Sequence, residues 1–430
     1  MKVKDWMSDK EVLVHLARRH GTPYYFYDAA VIGRQYEALK GAMPERWELF
    51  YSLKANPLGA LCELLRGCGC RCEVASAGEL TLALRAGFDP SDIVFTGPGK
   101  TDAELEAAVA AGIYSINVES VREAARLSEI AQRRHRTVKI AVRINPDLGK
   151  KRSGLAMSGV ASQFGIDEGE ADEAVQTILK LPGLLLCGVH VYNATQMLSA
   201  DDVADGMAYT IRLALRLSRT HQFPLDFLDL GGGFGIPYFP GEQRLDMERL
   251  RGRLAELWSE ARSSLRGTRM AVESGRFLLA DSGCYVSSVL DAKRSKGKRY
   301  IVCDGGSHHH AAAAFLGRYV RNNYVMSVIS EREEAEAELE ETYVAGPLCT
   351  PADLLGQRVA LPPAQPGDLL VVEQSGAYGL THSPLAFLSH PTPREWLMHE
   401  GETRLVRDRM EPLALGGEWK PSRRGRELTQ

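Results

Sequence analysis

The chain has 430 residues, with 52 Lys and Arg against 55 Asp and Glu, and carries a formal net charge of −3. That length corresponds to roughly two to three domains, its 44% hydrophobic and 25% charged residues describe a globular chain, and the balanced charge offers no basic stripe for nucleic acid. No apolar run is long enough to cross a bilayer, and the opening Met1–Trp6 has no apolar signal core, so a cytoplasmic protein with neither membrane nor nucleic-acid partners is expected.

From residue 47 onward, short β-branched or aromatic runs alternate with longer helical patterns. The runs predict strands at 47–51, 71–75, 92–95, 114–118, 138–144, 185–192, 226–230 and 270–273. Between them, apolar residues recurring at three and four predict helices such as 58–66, 77–86, 103–111 and 121–133. Eight strand-helix repeats in about 230 residues match a (β/α)8 barrel better than an open doubly wound sheet. After Ala280 the pattern changes to strands at 284–290, 299–302, 342–344, 369–372 and 403–406, which predict a second, mostly β domain. The run 331–341 reads as a solvated excursion, and the tail from Gly416 as weakly ordered. Cys68, Cys70 and Cys72 stand two apart, so on a strand they would share one face; that spacing suits core thiols and not a zinc site.

In a barrel, chemistry collects at the C-terminal ends of the strands. Lys54 follows the first predicted strand, where burial would lower its pKa and make the amine nucleophilic. Glu73 closes the second and His190 the sixth; Gly231-Gly232-Gly233-Phe234-Gly235 follows the seventh, and Glu273-Ser274-Gly275-Arg276 the eighth. Glycines after the last two strands let backbone N–H groups close on phosphate oxygens, with Arg276 as a charged fork. A lysine, a histidine and a glutamate at strand ends beside such loops point to pyridoxal phosphate held through the lysine.

These strings, with Gly346-Pro347-Leu348-Cys349 and Ser375-Gly376-Ala377-Tyr378, resemble the fold-type III pyridoxal-phosphate decarboxylases, the diaminopimelate and ornithine decarboxylase family. The resemblance implies an α/β fold: an alanine-racemase-like (β/α)8 barrel over residues 31–280, and a β-barrel or sandwich domain from 281–430 with residues 1–30. It also implies a head-to-tail homodimer whose interface completes the active site. By position, Lys54 is the Schiff-base lysine, Glu73 lies in the cofactor site and His190 stacks on the cofactor ring. Glu273 binds the pyridine nitrogen, while Gly231, Gly232, Gly233, Gly275, Arg276 and Tyr378 hold phosphate. Cys349, reaching across from the partner, is the catalytic acid that returns a proton. No metal is expected. A carboxylate at the ring nitrogen, where a related racemase has arginine, speaks for decarboxylation.

The match loosens at the substrate. Relatives that act on diamino substrates follow the cysteine with glutamate or aspartate, whereas here it is Thr350, with Asp353 three residues on. The arginine-proline segment that binds a far carboxylate is replaced by Asp304-Gly305-Gly306-Ser307-His308-His309-His310 and four alanines. Arg276, Thr350, Asp353 and His309 are therefore the candidate substrate contacts, and the triplet is assigned to the substrate pocket or an interface. These departures resemble a sub-branch from biosynthetic clusters that includes the butirosin-pathway decarboxylase of carrier-tethered glutamate and exosortase-associated enzymes. The expected function is α-decarboxylation of an L-amino acid tethered to an acyl-carrier protein or otherwise derivatised. Diaminopimelate decarboxylation, or a non-catalytic role for a cofactor-binding homologue, are the alternatives. Arg318, Arg321 and Lys293 are candidates for a carrier-docking patch.

Overall fold

In a strand, residues two apart share a face, and this chain uses that period to build a floor inside its barrel. Phe50, Val94, Ala141, Cys187, Phe227 and Ala271 form one buried apolar layer. Two residues further along five of those strands the same face carries Ser52, Thr96, Arg143, Asp229 and Glu273, all buried. The apolar layer plugs the barrel, and the polar layer above it becomes the floor of the site.

The computed structural model describes residues 9–147, 155–156, 161–239, 241–315, 323–332 and 338–411. Eight parallel strands close on themselves: Trp47–Ser52, Arg71–Val74, Ile93–Phe95, Ser115–Val118, Val138–Asn145, Leu184–His190, Phe227–Asp229 and Arg269–Ser274. The circuit is closed by Ser115–Val118 on Val138–Asn145 and by Arg269–Ser274 on Trp47–Ser52. Each predicted strand falls within two residues of an observed one. Helices follow the strands because their starts are capped: Ser76, Thr101, Ser120 and Asp246 each accept the amide three residues on.

A nine-stranded mixed sheet packs beside the barrel. Tyr24–Asp28, from before the barrel, pairs antiparallel with Gly283–Ser295 and parallel with Arg394–His399, so both ends of the chain build this sheet. The five predicted strands of this region are present. Met326–Ile329, Leu354–Leu361 and Arg394–His399 join them unforeseen. Glu340 and Glu341, placed in a solvated excursion, instead open the strand Glu340–Ala345. Residues 333–337, the tail from Gly416, Arg318 and Arg321 lie outside the described residues. The cysteine series does not share a strand face: Cys68 ends a helix, Gly69 turns the chain at φ +105°, and only Cys72 is in a strand. All eight cysteines are free.

The segment Gly305–His310 is a brace between loops. Ser307 N–H donates to Asp353 Oδ1 at 2.6 Å, His309 Nε2 meets the Pro391 carbonyl at 3.0 Å, and His310 Nε2 meets Ser375 Oγ at 2.8 Å. His308 is fully buried, with neither ring nitrogen hydrogen-bonded. Burial holds all three neutral, lowering His308 to about 4, His309 to about 2 and His310 to about 3. The unfolded chain protonates each near pH 6.5 whereas the folded chain resists, so the triplet's contribution is intact above that pH and is lost as pH falls below it. Calorimetry between pH 7 and 5 should therefore show stability falling with acid. His308→Leu, which removes no hydrogen bond, should flatten that fall by up to about 1.4 kcal/mol per pH unit.

Candidate active site

Lys54 stands on a single 3-10 turn, Leu53–Ala55, at the mouth of the first barrel strand. Pro57 stops the turn from continuing by forcing Asn56 into extended backbone at φ −165°, ψ 103°. Asn56 then ties the turn outward, donating from Nδ2 to the Gly376 carbonyl and to Tyr27 Oη, both at 3.1 Å. Tyr378 N–H donates to the Ala55 carbonyl at 2.7 Å, which seats the Ser375–Tyr378 loop on the lysine turn.

Strand register brings a carboxylate beneath the lysine. Ser52 and Glu73 are neighbours across the first two strands, and both Glu73 oxygens lie 3.1 Å from Lys54 Nζ. Glu73 is buried, while the Lys54 side chain keeps 39% exposure toward the pocket. Burial alone would lower the Lys54 pKa, as the sequence suggested; Glu73 and then Glu273 more than reverse it, and the ammonium is held above its ordinary range. The sequence expectation of a depressed lysine is thus corrected by a partner contributed from another strand.

The floor carries more acid than base. Glu273 and Asp229 are buried at the ends of the last two strands, and His190 Nε2 lies 3.7 Å from Glu273 and 4.0 Å from Asp229. No donor group reaches either Glu273 oxygen and neither His190 nitrogen meets a hydrogen-bond partner, so the one hydrogen bond open to Glu273 is a proton shared with Asp229. Burial first, and then Asp229 and Glu73, push Glu273 well above the usual carboxylate range. Burial, with help from Arg143, Lys54 and Lys100, keeps His190 neutral. Around this floor runs a ring of paired charges: Lys100 with Glu123 and Arg143 with Glu119, each at 2.7 Å and buried.

Above the floor is a small pocket lined by Ser52, Lys54, Tyr192, Thr195, Gly233, Phe234, Glu273, Ser274, Gly275, Arg276 and Tyr378. Arg276 is fixed between two rings, 4.6 Å from the Tyr378 centroid and 5.5 Å from that of Tyr238, and donates to Tyr238 Oη at 3.0 Å. The glycine loop has no room for side chains. A Cβ at Gly232 would overlap the Glu273 carbonyl and one at Gly233 the Ala194 carbonyl, and Gly233 also holds φ +100°.

Of the residues singled out in the sequence, Lys54, Gly233, Glu273, Gly275, Arg276 and Tyr378 line one pocket, with Glu73 bonded to Lys54 and His190 beside Glu273. Gly231 and Gly232 pack against the neighbouring strand ends. Four others do not line it. Cys349 is exposed, with Thr350 beside it. Asp353 spends both oxygens on backbone, taking Ser307 N–H at 2.6 Å and Leu348 N–H at 2.8 Å, and so shapes the loop that carries Cys349. His309 is buried with both nitrogens engaged, Nδ1 by Tyr285 Oη at 3.2 Å and Nε2 by the Pro391 carbonyl. Asp229, Tyr192, Ser274 and Tyr238 were not singled out. Asp229 alone left a signal, a carboxylate two residues before the glycine run.

Comparison with known proteins supplies the family. Residues 29–280 match the family model described as the pyridoxal-dependent decarboxylase, pyridoxal binding domain. The chain belongs to the pyridoxal-dependent decarboxylase family. It is 43% identical over 401 residues, 93% of this chain and 94% of the relative, to the L-glutamyl-[BtrI acyl-carrier protein] decarboxylase of Niallia circulans. It is 30% identical over 398 residues, 92% of this chain and 91% of the relative, to the diaminopimelate decarboxylase of Aquifex aeolicus. The diaminopimelate decarboxylase of Helicobacter pylori complexed with L-lysine superposes with a TM-score of 0.82 at 28% identity, covering 93% of this chain and 97% of that one. The protein is a decarboxylase and its cofactor is pyridoxal phosphate. The residues present fit that cofactor: an amine at the pocket, a buried carboxyl with no donor to either oxygen, a cradle too tight for Cβ atoms and an arginine fork.

The Lys54–Glu73 pair can be tested without the cofactor. Glu73→Gln should lower the lysine's pKa by about one unit or more, read as roughly tenfold faster labelling of Lys54 by an amine-specific reagent at pH 8. Unchanged labelling would mean that Glu73 does not hold the ammonium.

Proposed function

We propose that this decarboxylase removes the α-carboxylate of an L-amino acid whose side chain is tethered to an acyl-carrier protein or otherwise derivatised, with a glutamyl-carrier as the type. The observation that carries the reading is the neutral distal position beside Cys349. Thr350 has no charge, and the nearest carboxylate in sequence, Asp353, has both oxygens committed to backbone amides. A substrate ammonium brought there would lose hydration without gaining a partner, which costs several kcal/mol. A tethered side chain ends in no such charge. The 43% identity to a carrier-protein decarboxylase supports the same reading.

Pyridoxal phosphate, when bound, supplies a carbonyl for the substrate amine and a ring that takes up the electron pair left as the carboxylate departs. Lys54 holds the cofactor, and Glu73 holds the proton on Lys54 whenever that amine is free. Glu273 faces the ring nitrogen, and neutral His190 offers an uncharged ring against the cofactor face. Gly231–Gly233, Gly275, Arg276 and Tyr378 hold the phosphate. Cys349 gives a proton to the α-carbon. Cys349 is exposed on its own chain, and this supports a homodimer in which it serves a second copy's pocket. In that arrangement residues 31–280 hold the cofactor, and 281–430 with 1–30 complete the site. Among the described residues no helix is long and apolar enough to cross a membrane, and the enzyme is assigned to the cytoplasm.

Carbon dioxide release from purified, cofactor-loaded protein is the test. Glutamate on a carrier protein should turn over within the ~1–1000 s⁻¹ typical of enzymes, with Cys349→Ala slowing kcat by about 10²–10⁴-fold and Lys54→Ala removing both turnover and the bound-cofactor absorbance. Comparable kcat/KM on free meso-diaminopimelate would place the enzyme among the diaminopimelate decarboxylases instead. A cellular role surviving Lys54→Ala would make it a non-catalytic homologue.

A further inference from the structure

Beside Glu273 lies a second carboxylate that the proposed chemistry leaves without a task. Asp229 is fully buried, and one of its oxygens, one oxygen of Glu273 and one His190 ring nitrogen lie within 4.8 Å of one another. Two carboxyl groups this close and buried from solvent do not both ionise; one keeps a proton. Their hydrogen bonds decide which. Asp229 Oδ1 accepts Gly231 N–H at 3.0 Å and Oδ2 accepts Asn117 Nδ2 at 3.2 Å, whereas Glu273 receives no donor on either oxygen. Donors stabilise an anion, so the negative charge settles on Asp229 and the proton on Glu273.

We propose that Asp229 is a positioning residue that keeps Glu273 protonated, so that the buried pair presents an acid O–H to the cofactor nitrogen. The inference rests on the reading that Glu273 faces that nitrogen. As the site loads, the Glu273 O–H bond breaks and an N–H bond forms at the ring. One neutral acid, one carboxylate and a neutral ring become two carboxylates and a cationic ring, with net charge unchanged. No proton need enter from solvent. The surroundings agree: burial raises Asp229 to about 6 and raises Glu273 well above the usual carboxylate range, with Glu73 adding negative charge to both, while Lys54 pulls Glu273 down. His190 stays neutral between them, and Arg143 and Lys100 are balanced by Glu119 and Glu123. The same Asp229 bonds reach the glycine loop through Gly231 and the neighbouring strands through Asn117 and Thr96.

The test titrates ¹³C-labelled carboxyl groups by NMR in cofactor-free protein, where activity plays no part. Wild type should show a protonated carboxyl at pH 7 that disappears in Glu273→Gln. In Asp229→Asn the midpoint of Glu273 should fall by at least one pH unit, a tenfold loss of proton affinity. Asp229→Asn is sterically conservative, because Asn117 has an unbonded amide oxygen and can turn it toward the new NH2. If that variant fails to fold, Glu273→Gln still decides: loss of one protonated-carboxyl resonance there supports the proposal, and an unchanged set of protonated carboxyls, among which Glu79 at about 7 is expected, overturns it. Ionised Glu273 in wild type, or an unchanged midpoint in Asp229→Asn, overturns it too. Failure of wild type to bind pyridoxal phosphate would strike the functional reading and leave the shared proton standing.

Discussion

The site depends on an imbalance of buried charge. Glu73, Asp229 and Glu273 stand at three strand ends of one barrel mouth, where Lys54 is the cation paired with them, Arg276 is held between the Tyr238 and Tyr378 rings and His190 is neutral. A low-dielectric site does not tolerate surplus like charge, so it must hold a proton, bind a cation, or both. The Lys54–Glu73 contact at 3.1 Å neutralises one carboxylate. What remains at Glu273 and Asp229 is a place suited to a protonated ring nitrogen, and the pocket above is lined by the arginine and glycines that suit a phosphate. On the proposed reading this charge arrangement would orient the cofactor as well as hold it.

The fold supplies this imbalance through the two-residue period of its strands. An apolar layer seals the barrel from below, and the next inward residue on several strands is polar. Because the floor belongs to parallel strands locked by register, its groups are held more rigidly than loop residues would be. The loop proposed to meet the substrate is built differently. Cys349 and Thr350 lie on a loop shaped by Asp353, and that loop is tied through Ser307 to the buried histidine segment. On the proposed reading the groups that hold the cofactor sit on the barrel strands, while Cys349 and the distal position Thr350 share a separate loop, so the distal position can vary without disturbing the floor.

This division explains what the sequence made legible. Buried parallel strands read as short apolar runs, so all eight were found, and glycine runs and lone charged residues at their ends marked Lys54, Glu73, His190, Glu273 and Arg276. Of the three overlooked strands of the second sheet, Leu354–Leu361 and Arg394–His399 have their alternation broken by glycine or charged residues, and Met326–Ile329 is only four residues long. Side-chain partners were not legible, because they depend on pairings across strands. Lys54 was expected to be depressed by burial and is raised by Glu73; His309 and Asp353 were assigned to substrate and are committed within the chain. Asp229 passed as part of a motif, since only the closed barrel shows it against Glu273.

Everything proposed for the site turns on Lys54 being the residue that carries pyridoxal phosphate. Borohydride reduction of the cofactor-loaded protein, followed by protease digestion and mass spectrometry, reads this directly. The account predicts a single phosphopyridoxyl adduct on the peptide bearing Lys54. An adduct on another lysine such as Lys100, or no adduct in protein that retains the cofactor, would contradict it.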